Sequence, residues 1–386
     1  MQKKTIISGV APGPSGVGRV LEYLIDNSIN FKFLHPPKPR INSIKKHLRS
    51  FNIILLLSSI VESLIFFFDK KKYQIKIRNL SKKDIILIHP QTIGYSNCTR
   101  LINRNKTALY IMDNSFFCIK SYNYLEITKK SCDLCIDGNY HHSKTNKCKS
   151  FPVSYDYEEY FHFIDFLKIN YRNIKFFAQN LGQVKLLEKQ FGLDIEVKIV
   201  GLLTSDLFQT NNGLSHEGLK DYDFVFHGDS TLAKGSAYVL ELAKLLPKYT
   251  FLFPFDKPEH LDEFPNITYK AMLWNSGLKD YVISSKITLC PSIWSAPIEG
   301  SVMKTLKLGK CLAVYDVKNS FASEITENAV IMLNGDVIRD ISILKDVIES
   351  NRYLIIGENG RQFATQKLEQ MKVLHDMEFK IKSRIG

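Results

Sequence analysis

The sequence predicts two α/β domains in series, each a Rossmann-like parallel sheet with helices on both faces, facing each other across a cleft. Three observations carry this reading. Short, continuous apolar runs alternate with stretches of helical spacing, as expected of parallel strands buried on both faces. The alternation pauses once, in "TSDLFQTNNGLSHEGLKDY", Thr204 to Tyr222, which is polar and rich in glycine and Asn-Gly turn signals. And 386 residues are too many for one ordinary core. We therefore expect an N-terminal domain over 1–205 and a C-terminal domain over 206–386.

Each element has a local reason. "TIISGV" is a short apolar strand that runs into the loop "APGPSGVGR" and then the helically spaced "VLEYLIDNSI". "DIILIHP" and "TALYIMD" are strands ending in polar residues. "IKFFAQN" precedes the helix "LGQVKLLEKQFG", stopped by Gly192, and "IEVKIVG" follows as a strand. The second half repeats the alternation: "DFVFHG", helix "SAYVLELAKLLP", "YTFLFPF", "ITYKAM", helix "LKDYVISS", "ITLCPS", helix "VMKTLKLG" and "CLAVYD". The segment "FNIILLLSSIVESLIFFF", Phe51 to Phe68, carries Asn52, Glu62 and three serines. It falls short of the roughly 20 apolar residues of a spanning helix. It reads as a helix covered on most sides by protein. Its basic flanks, "KKHLR" and "DKKK", leave a lipid-facing helix as the other reading.

Composition bounds the function. Hydrophobic residues make up 45% of the chain, which excludes a disordered protein. Lys and Arg number 52 against 39 acidic residues, a net charge of +13. Such a surplus favours an anionic partner: phosphate, anionic lipid, acidic sugar or nucleic acid. No secretory signal is visible, and seven cysteines, an odd number, fit a reducing, cytoplasmic compartment, with the inner face of the cytoplasmic membrane as a further expectation.

Three loops at expected strand ends carry chemistry. Gly9, Gly13, Gly16 and Gly18 let a ligand approach the backbone before the first helix, whose N-terminus offers free N–H groups to an anion. Their spacing is not the dinucleotide pattern. Lys234 and Gly235 precede a helix, where a lysine holds a phosphate. Glu299 and Gly300 sit at another strand-to-helix junction, with Lys304 one turn on. A carboxylate there accepts hydrogen bonds from sugar hydroxyls, and the lysine faces a phosphate. In such sheets ligands bind at the carboxyl ends of the strands.

In order, the glycine loop, "FHGDSTLAKGSAYVLELAKLLPKYTFLF" and "LCPSIWSAPIEGSVMKTLKLGKCLAVYD" resemble the glycosyltransferases of the GT-B fold. The resemblance is to the large retaining family that builds bacterial surface glycans. Lys234-Gly235, Pro291-Ser292, Trp294 and Gly309 match its pattern, which is specific here from Phe224 to Asp316. The chain departs from it at both glutamates of the E-x7-E motif, where Ala296 and Lys304 stand. Asp229 replaces the basic residue after Gly228, and Met112 stands before Asp113 where many members have histidine.

The resemblance implies transfer of a sugar from a nucleotide-activated donor to a glycan or lipid-linked acceptor in surface polysaccharide biosynthesis. It implies a retaining outcome in which front-face departure needs no general base, and with lysines and helix N-termini to hold the phosphates no catalytic divalent metal is expected. The catalytic candidates are Glu299 for ribose or sugar hydroxyls, Lys304 for a donor phosphate, and Asp113 beside the acceptor. Gly16, Gly18, Lys234, Gly235, Ser292, Trp294, Gly300 and Ser301 are expected around the donor. The positive charge suits a peripheral membrane contact.

The insertion over 118–148 holds Cys118, Cys132, Cys135 and Cys148, and its CxxC pair with one cysteine on each side would close a tetrahedral structural zinc site. His141 and His142 are alternative ligands, and unligated thiols in a loop are the competing expectation. Cys98, Cys290 and Cys311 read as buried structural residues. Two other functions fit less of the sequence. One is a nucleic-acid-associated zinc-binding protein with an inactive GT-B-like body, for which no aromatic-basic motif speaks. The other is a hydrolase or epimerase acting on nucleotide-sugars.

Overall fold

The computed structural model describes residues 3–38, 53–208, 221–259 and 261–380. The first half runs through β1 (Lys4–Ser8), α1 (Gly16–Asn27), β2 (Phe31–Leu34), α2 (Ile53–Arg78), β3 (Asp84–Ile88), α3 (Pro90–Ile93), α4 (Tyr95–Arg104) and β4 (Lys106–Tyr110). An insertion follows, with the hairpin β5 (Tyr124–Leu125) and β6 (Lys130–Ser131) and the short α5 (His141–Thr145). Then come α6 (Tyr157–Asn170), β7 (Ile174–Ala178), α7 (Leu181–Phe191) and β8 (Val197–Ile199). The second half holds β9 (Phe224–Phe226), α8 (Ser236–Leu245), β10 (Phe251–Phe253), β11 (Ile267–Tyr269), α9 (Leu278–Ser284), β12 (Ile287–Cys290), α10 (Gly300–Lys307), β13 (Cys311–Tyr315), β14 (Ile331–Leu333), α11 (Val337–Glu349) and α12 (Tyr353–Phe379).

The strands form two six-stranded sheets, β2-β1-β3-β4-β7-β8 and β11-β10-β9-β12-β13-β14. Every pairing within them is parallel. The apolar runs of the sequence are buried on both faces: β9 and β12 are buried along their whole length. Helix starts are fixed by local capping. The Ser15 hydroxyl accepts from Gly18 N–H at 3.0 Å, and Asp156 accepts from Glu159 N–H at 2.7 Å.

Strand order decides where a ligand fits. In the first sheet the chain order reverses between β1 and β3, and in the second between β9 and β12. At such a switch point adjacent connections leave on opposite faces and open a crevice at the carboxyl ends. The two crevices belong to different domains and contribute to one cavity.

The last helix ties the domains together. α12 starts against the C-terminal sheet, where Gly357 packs so closely that a Cβ would sit 2.3 Å from the Gly309 carbonyl oxygen. It ends against the first sheet, where Glu378 bridges Lys175 at 3.1 Å and Lys198 at 2.6 Å. The tail of α12 thus belongs physically to the N-terminal core, although it follows the C-terminal sheet in sequence.

One element departs from expectation. α2, read as a helix covered on most sides by protein, is largely uncovered. Val61 is 54% exposed and Phe68 58%, while Tyr73 and Ile77 near its C-terminal end are buried. Among the described residues no helix is long and apolar enough to cross a membrane.

His375 of α12 is fully buried among Tyr23, Tyr110 and Phe379, with ring centroids 6.2, 6.2 and 5.0 Å away. Burial pushes its pKa down to about 3. In an unfolded chain histidine titrates at about 6.5. Between those values the unfolded state holds a proton that the folded state does not, so stability falls as pH drops through the window. This one group contributes at most about 1.4 kcal/mol per pH unit. We expect His375→Leu to remove that increment. Urea midpoints of the variant should fall less steeply than those of wild type between about pH 6.5 and pH 4.5. Equal slopes would show that the buried imidazole is not the source.

Candidate functional site

The cavity between the domains has a volume of about 700 Å³, within the range of small-molecule sites. The N-terminal domain contributes the start of α1 and the loops after β3 and β4; the C-terminal domain contributes the loops after β9 and β12 with the start of α10.

Lys234 reaches the cavity because the chain after β9 is forced into a tight path. Asp229 Oδ1 accepts from Thr231 N–H at 2.9 Å, a 3-10 turn spans Leu232–Lys234, and Gly235 follows at φ +84°. A Cβ at Gly235 would lie 2.3 Å from the Pro291 carbonyl oxygen, so the turn requires glycine. The Lys234 ammonium pairs with Glu299 and lies 5.3 Å from the Trp294 ring centroid and 5.6 Å from that of Tyr122. Burial opposes its charge, but Glu299 and Tyr122 hold it above its ordinary pKa. Glu299 is the N-cap residue of α10, and its side chain makes no cap hydrogen bond. Gly300, Ser301, Ser292 and Trp294 also line the cavity.

Lys304, one turn into α10, points to the N-terminal half. Its Nζ lies 3.1 Å from Asp206 Oδ2, and Arg19 Nε lies 3.2 Å from the same oxygen. Thr204 donates to the other oxygen at 2.7 Å. Burial lowers the Lys304 pKa, outweighing the pull of Asp206. Asp206 moves the other way: against its burial, Lys304, Thr204 and Arg19 hold it below the usual carboxylate value. His227, stacked on Trp274 at 4.9 Å and 2°, is pushed well down by burial and by Lys304, Arg19 and Lys234, so it stays neutral.

Asp113 sits on the opposite wall. Oδ2 accepts from Gln91 Nε2 at 2.8 Å and faces His89 Nε2 at 3.3 Å, while Oδ1 accepts from Ser115 N–H at 3.0 Å. Burial would raise its pKa, but the hydrogen bonds from His89 and Ser115 and the charge of His89 keep it below the ordinary value. His89 itself is held at φ 60°, an uncommon conformation for a residue other than glycine.

The structure brings most expected residues to this cavity. Gly16, Asp113, Lys234, Ser292, Trp294, Glu299, Gly300, Ser301 and Lys304 line it. Gly18 and Gly235 stand behind the lining as packing positions. Contributors that went unread include Arg19, His89, Asp206 and His227. Arg19 carried a signal, since it closes the glycine loop and opens α1. Asp206 carried none, being one acid in a polar connecting segment.

The zinc expectation finds no support in the structure. Cys118, Cys132, Cys135 and Cys148 do surround one small space, together with His142. Yet among the described residues no group of three or more His, Cys, Asp or Glu side chains is arranged to hold a metal ion. Cys118 Sγ instead approaches the Tyr122 carbonyl oxygen at 3.6 Å. Burial pushes the thiols of Cys118 and Cys148 up, and that of Cys135 to about 12. The insertion braces the cavity wall. Asn123 Oδ1 accepts from Ser295 N–H at 3.0 Å, and Asn114 donates to the Ser295 carbonyl at 2.8 Å. Tyr122 meets the Trp294 ring edge-on at 4.7 Å. Cys98, Cys290 and Cys311 are buried, as read.

Lys234 and Glu299 are largely shielded from water, so losing one partner leaves a poorly solvated charge. We expect Lys234→Met and Glu299→Gln each to cost about 1–3 kcal/mol. The double variant should cost less than their sum, read as a double-mutant cycle in chemical denaturation. Additive losses would mean that the pair does not couple.

No protein-family description matches this chain, and no curated protein does. Solved structures do. The Anabaena HepE structure with UDP-glucose aligns over 97% of this chain and 98% of its own, with a TM-score of 0.61 and 11% identity. Sucrose-phosphate synthase from Thermosynechococcus elongatus aligns over 98% and 99%, with a TM-score of 0.56 and 12% identity. A glycosyltransferase from Rickettsia africae aligns over 98% and 99%, with a TM-score of 0.54 and 12% identity. At such identities the likeness establishes the architecture: two Rossmann-like domains facing across a cleft, the GT-B fold.

Proposed function

We propose that the cavity binds a nucleotide-activated sugar and transfers its glycosyl group to an acceptor lying against the N-terminal domain. One observation carries this reading. Three cations, Arg19, Lys234 and Lys304, converge with the start of α10 where the carboxyl edges of two parallel sheets meet. Cations and a helix N-terminus together suit a diphosphate. The architecture supports it: HepE has been solved with UDP-glucose and with UDP and glucose, and the pneumococcal O-GlcNAc transferase GtfA with UDP and GlcNAc.

The geometry supports the following roles. Lys234 and Lys304 take the charge that develops on the departing phosphate oxygen, the step where electrostatic stabilisation counts most. Glu299 exchanges its contact with Lys234 for sugar or ribose hydroxyls when the donor enters. Asp113, held ionised by Gln91, His89 and Ser115, accepts a hydrogen bond from a neighbouring hydroxyl of the acceptor and so orients it. The reaction breaks the bond from the anomeric carbon to phosphate and forms one to the acceptor oxygen. The acceptor oxygen attacks on the face from which the phosphate departs and its proton leaves with that phosphate, so the configuration is retained without a separate base. The acceptor is a lipid-linked or free glycan, as in the making of a surface polysaccharide.

Calorimetry with UDP, GDP, ADP and CMP tests this. One nucleotide should bind wild type, and Lys304→Ala or Lys234→Ala should weaken it about ten- to a hundredfold, the loss of one charge-assisted contact. Binding of none would remove the reading's support. With the binding nucleotide's sugar conjugates as donors, the anomeric configuration of the product then tests retention.

A further inference from the structure

The uncovered part of α2 lies beside the cleft. Tyr73 is buried and donates a hydrogen bond to the Ser8 carbonyl at 2.8 Å, at the carboxyl end of β1. α2 leads back to the start of β3, which runs parallel to β1, so the helix descends from the carboxyl side of the sheet. At 1.5 Å per residue, Ile60 stands about 20 Å beyond Tyr73 along the helix. The apolar half therefore projects past the sheet edge on the side where the cavity opens.

Its free face is apolar and basic in sequence. At about 100° per residue, Ile60, Leu64, Phe67, Phe68 and Ile75 fall within about 50° of one line, and all are exposed. Tyr73 and Ile77 lie on the opposite side, buried. A helix apolar on its outward face needs a cover. Charge says which. One residue beyond the apolar run, past Asp69, come Lys70, Lys71 and Lys72, all exposed, and then Lys76 and Arg78. Lys71 lies 4.5 Å from the Phe67 ring, on the same face. The two acids, Glu62 and Asp69, point at least about 150° away from the apolar line, and Asp69 meets Lys72 at 3.5 Å. Aromatic and aliphatic side chains next to a lysine run match the boundary between lipid tails and anionic headgroups.

We propose that the projecting half of α2 docks on an anionic bilayer surface, Leu64, Phe67 and Phe68 entering the headgroup boundary and Lys70, Lys71 and Lys72 meeting its phosphates. Docking there sets the mouth of the cleft against the membrane. The proposal concerns a different surface from the donor cavity and stands independently of the donor's identity.

Sedimentation of the full chain with vesicles tests it. Wild type should bind vesicles containing phosphatidylglycerol, bind phosphatidylcholine alone at least tenfold more weakly, and lose binding as salt rises. Leu64→Glu with Phe68→Glu should weaken binding at least tenfold, and Lys70→Glu with Lys71→Glu should abolish the preference for phosphatidylglycerol. Because these side chains are exposed, the variants should keep the wild-type melting temperature and nucleotide affinity. In Phe68→Trp, anionic vesicles should shift tryptophan emission to the blue. Equal binding by wild type and the Glu variant, or emission unchanged by vesicles, would overturn the proposal. So would a concentration-dependent dimer that Phe68→Glu dissolves, since a second copy would then be the cover.

Discussion

The site depends on one buried carboxylate. Asp206 lies on the segment that connects the two sheets, and a single oxygen of it is shared by Arg19 from the first domain and Lys304 from the second. Two cations brought this close in a poorly solvated cleft would repel each other. Burial already pulls Lys304 towards its neutral form. Asp206 makes their approach favourable and, with Thr204 locking its other oxygen, fixes where they stand. The C-terminal wall of the cavity is measured from that point: α10 begins one turn earlier, with Glu299 at its cap and Lys234 paired to it.

The domain contacts obey the same logic of shared groups. Glu324 of the C-terminal domain accepts from Asn180 and from Gly182 N–H, both at 2.8 Å, and Gly182 leaves no room for a side chain against the Asn319 carbonyl. Ser295 is held by Asn114 and Asn123 of the insertion. α12 then spans both cores, from Gly309 to the pair of lysines around Glu378. The cavity is thus enclosed by contacts that the domains make in common, which is why a cysteine-bearing insertion far from the C-terminal sheet in sequence bears on the loop that carries Trp294.

What the sequence made legible follows from the range of the forces involved. Strands such as β9 and β12 were readable because a parallel strand buried on both faces must be apolar along its whole length. The Lys234 and Glu299 loops were readable because strand-to-helix junctions in such a sheet face a common crevice. The Arg19–Asp206–Lys304 cluster was not, since it joins three positions that no local pattern relates. The crossing of α12 was hidden for the same reason: an apolar stripe does not say which sheet it will meet. The cysteines gave a count and a spacing, but metal binding is a matter of geometry, which spacing does not fix. α2 misled because a largely apolar segment reads the same in sequence whether protein covers it or its apolar face stands exposed.

Charge shows how a whole-chain average can point to the wrong place. The surplus of +13 invites the idea that the cleft is strongly basic. Its lining says otherwise. Arg19, Lys234 and Lys304 face Asp113, Asp206, Asp229 and Glu299, three cations against four carboxylates. A phosphate entering there gains by replacing carboxylates as the partner of placed cations, not by meeting an unbalanced field. That favours selectivity over long-range attraction. The excess charge must therefore lie outside the cleft. Part of it stands in the lysine run of α2, beside an apolar face that faces away from the protein. The basic composition thus lies largely on the outer surface, while the cleft holds a few cations whose charges the fold has already balanced.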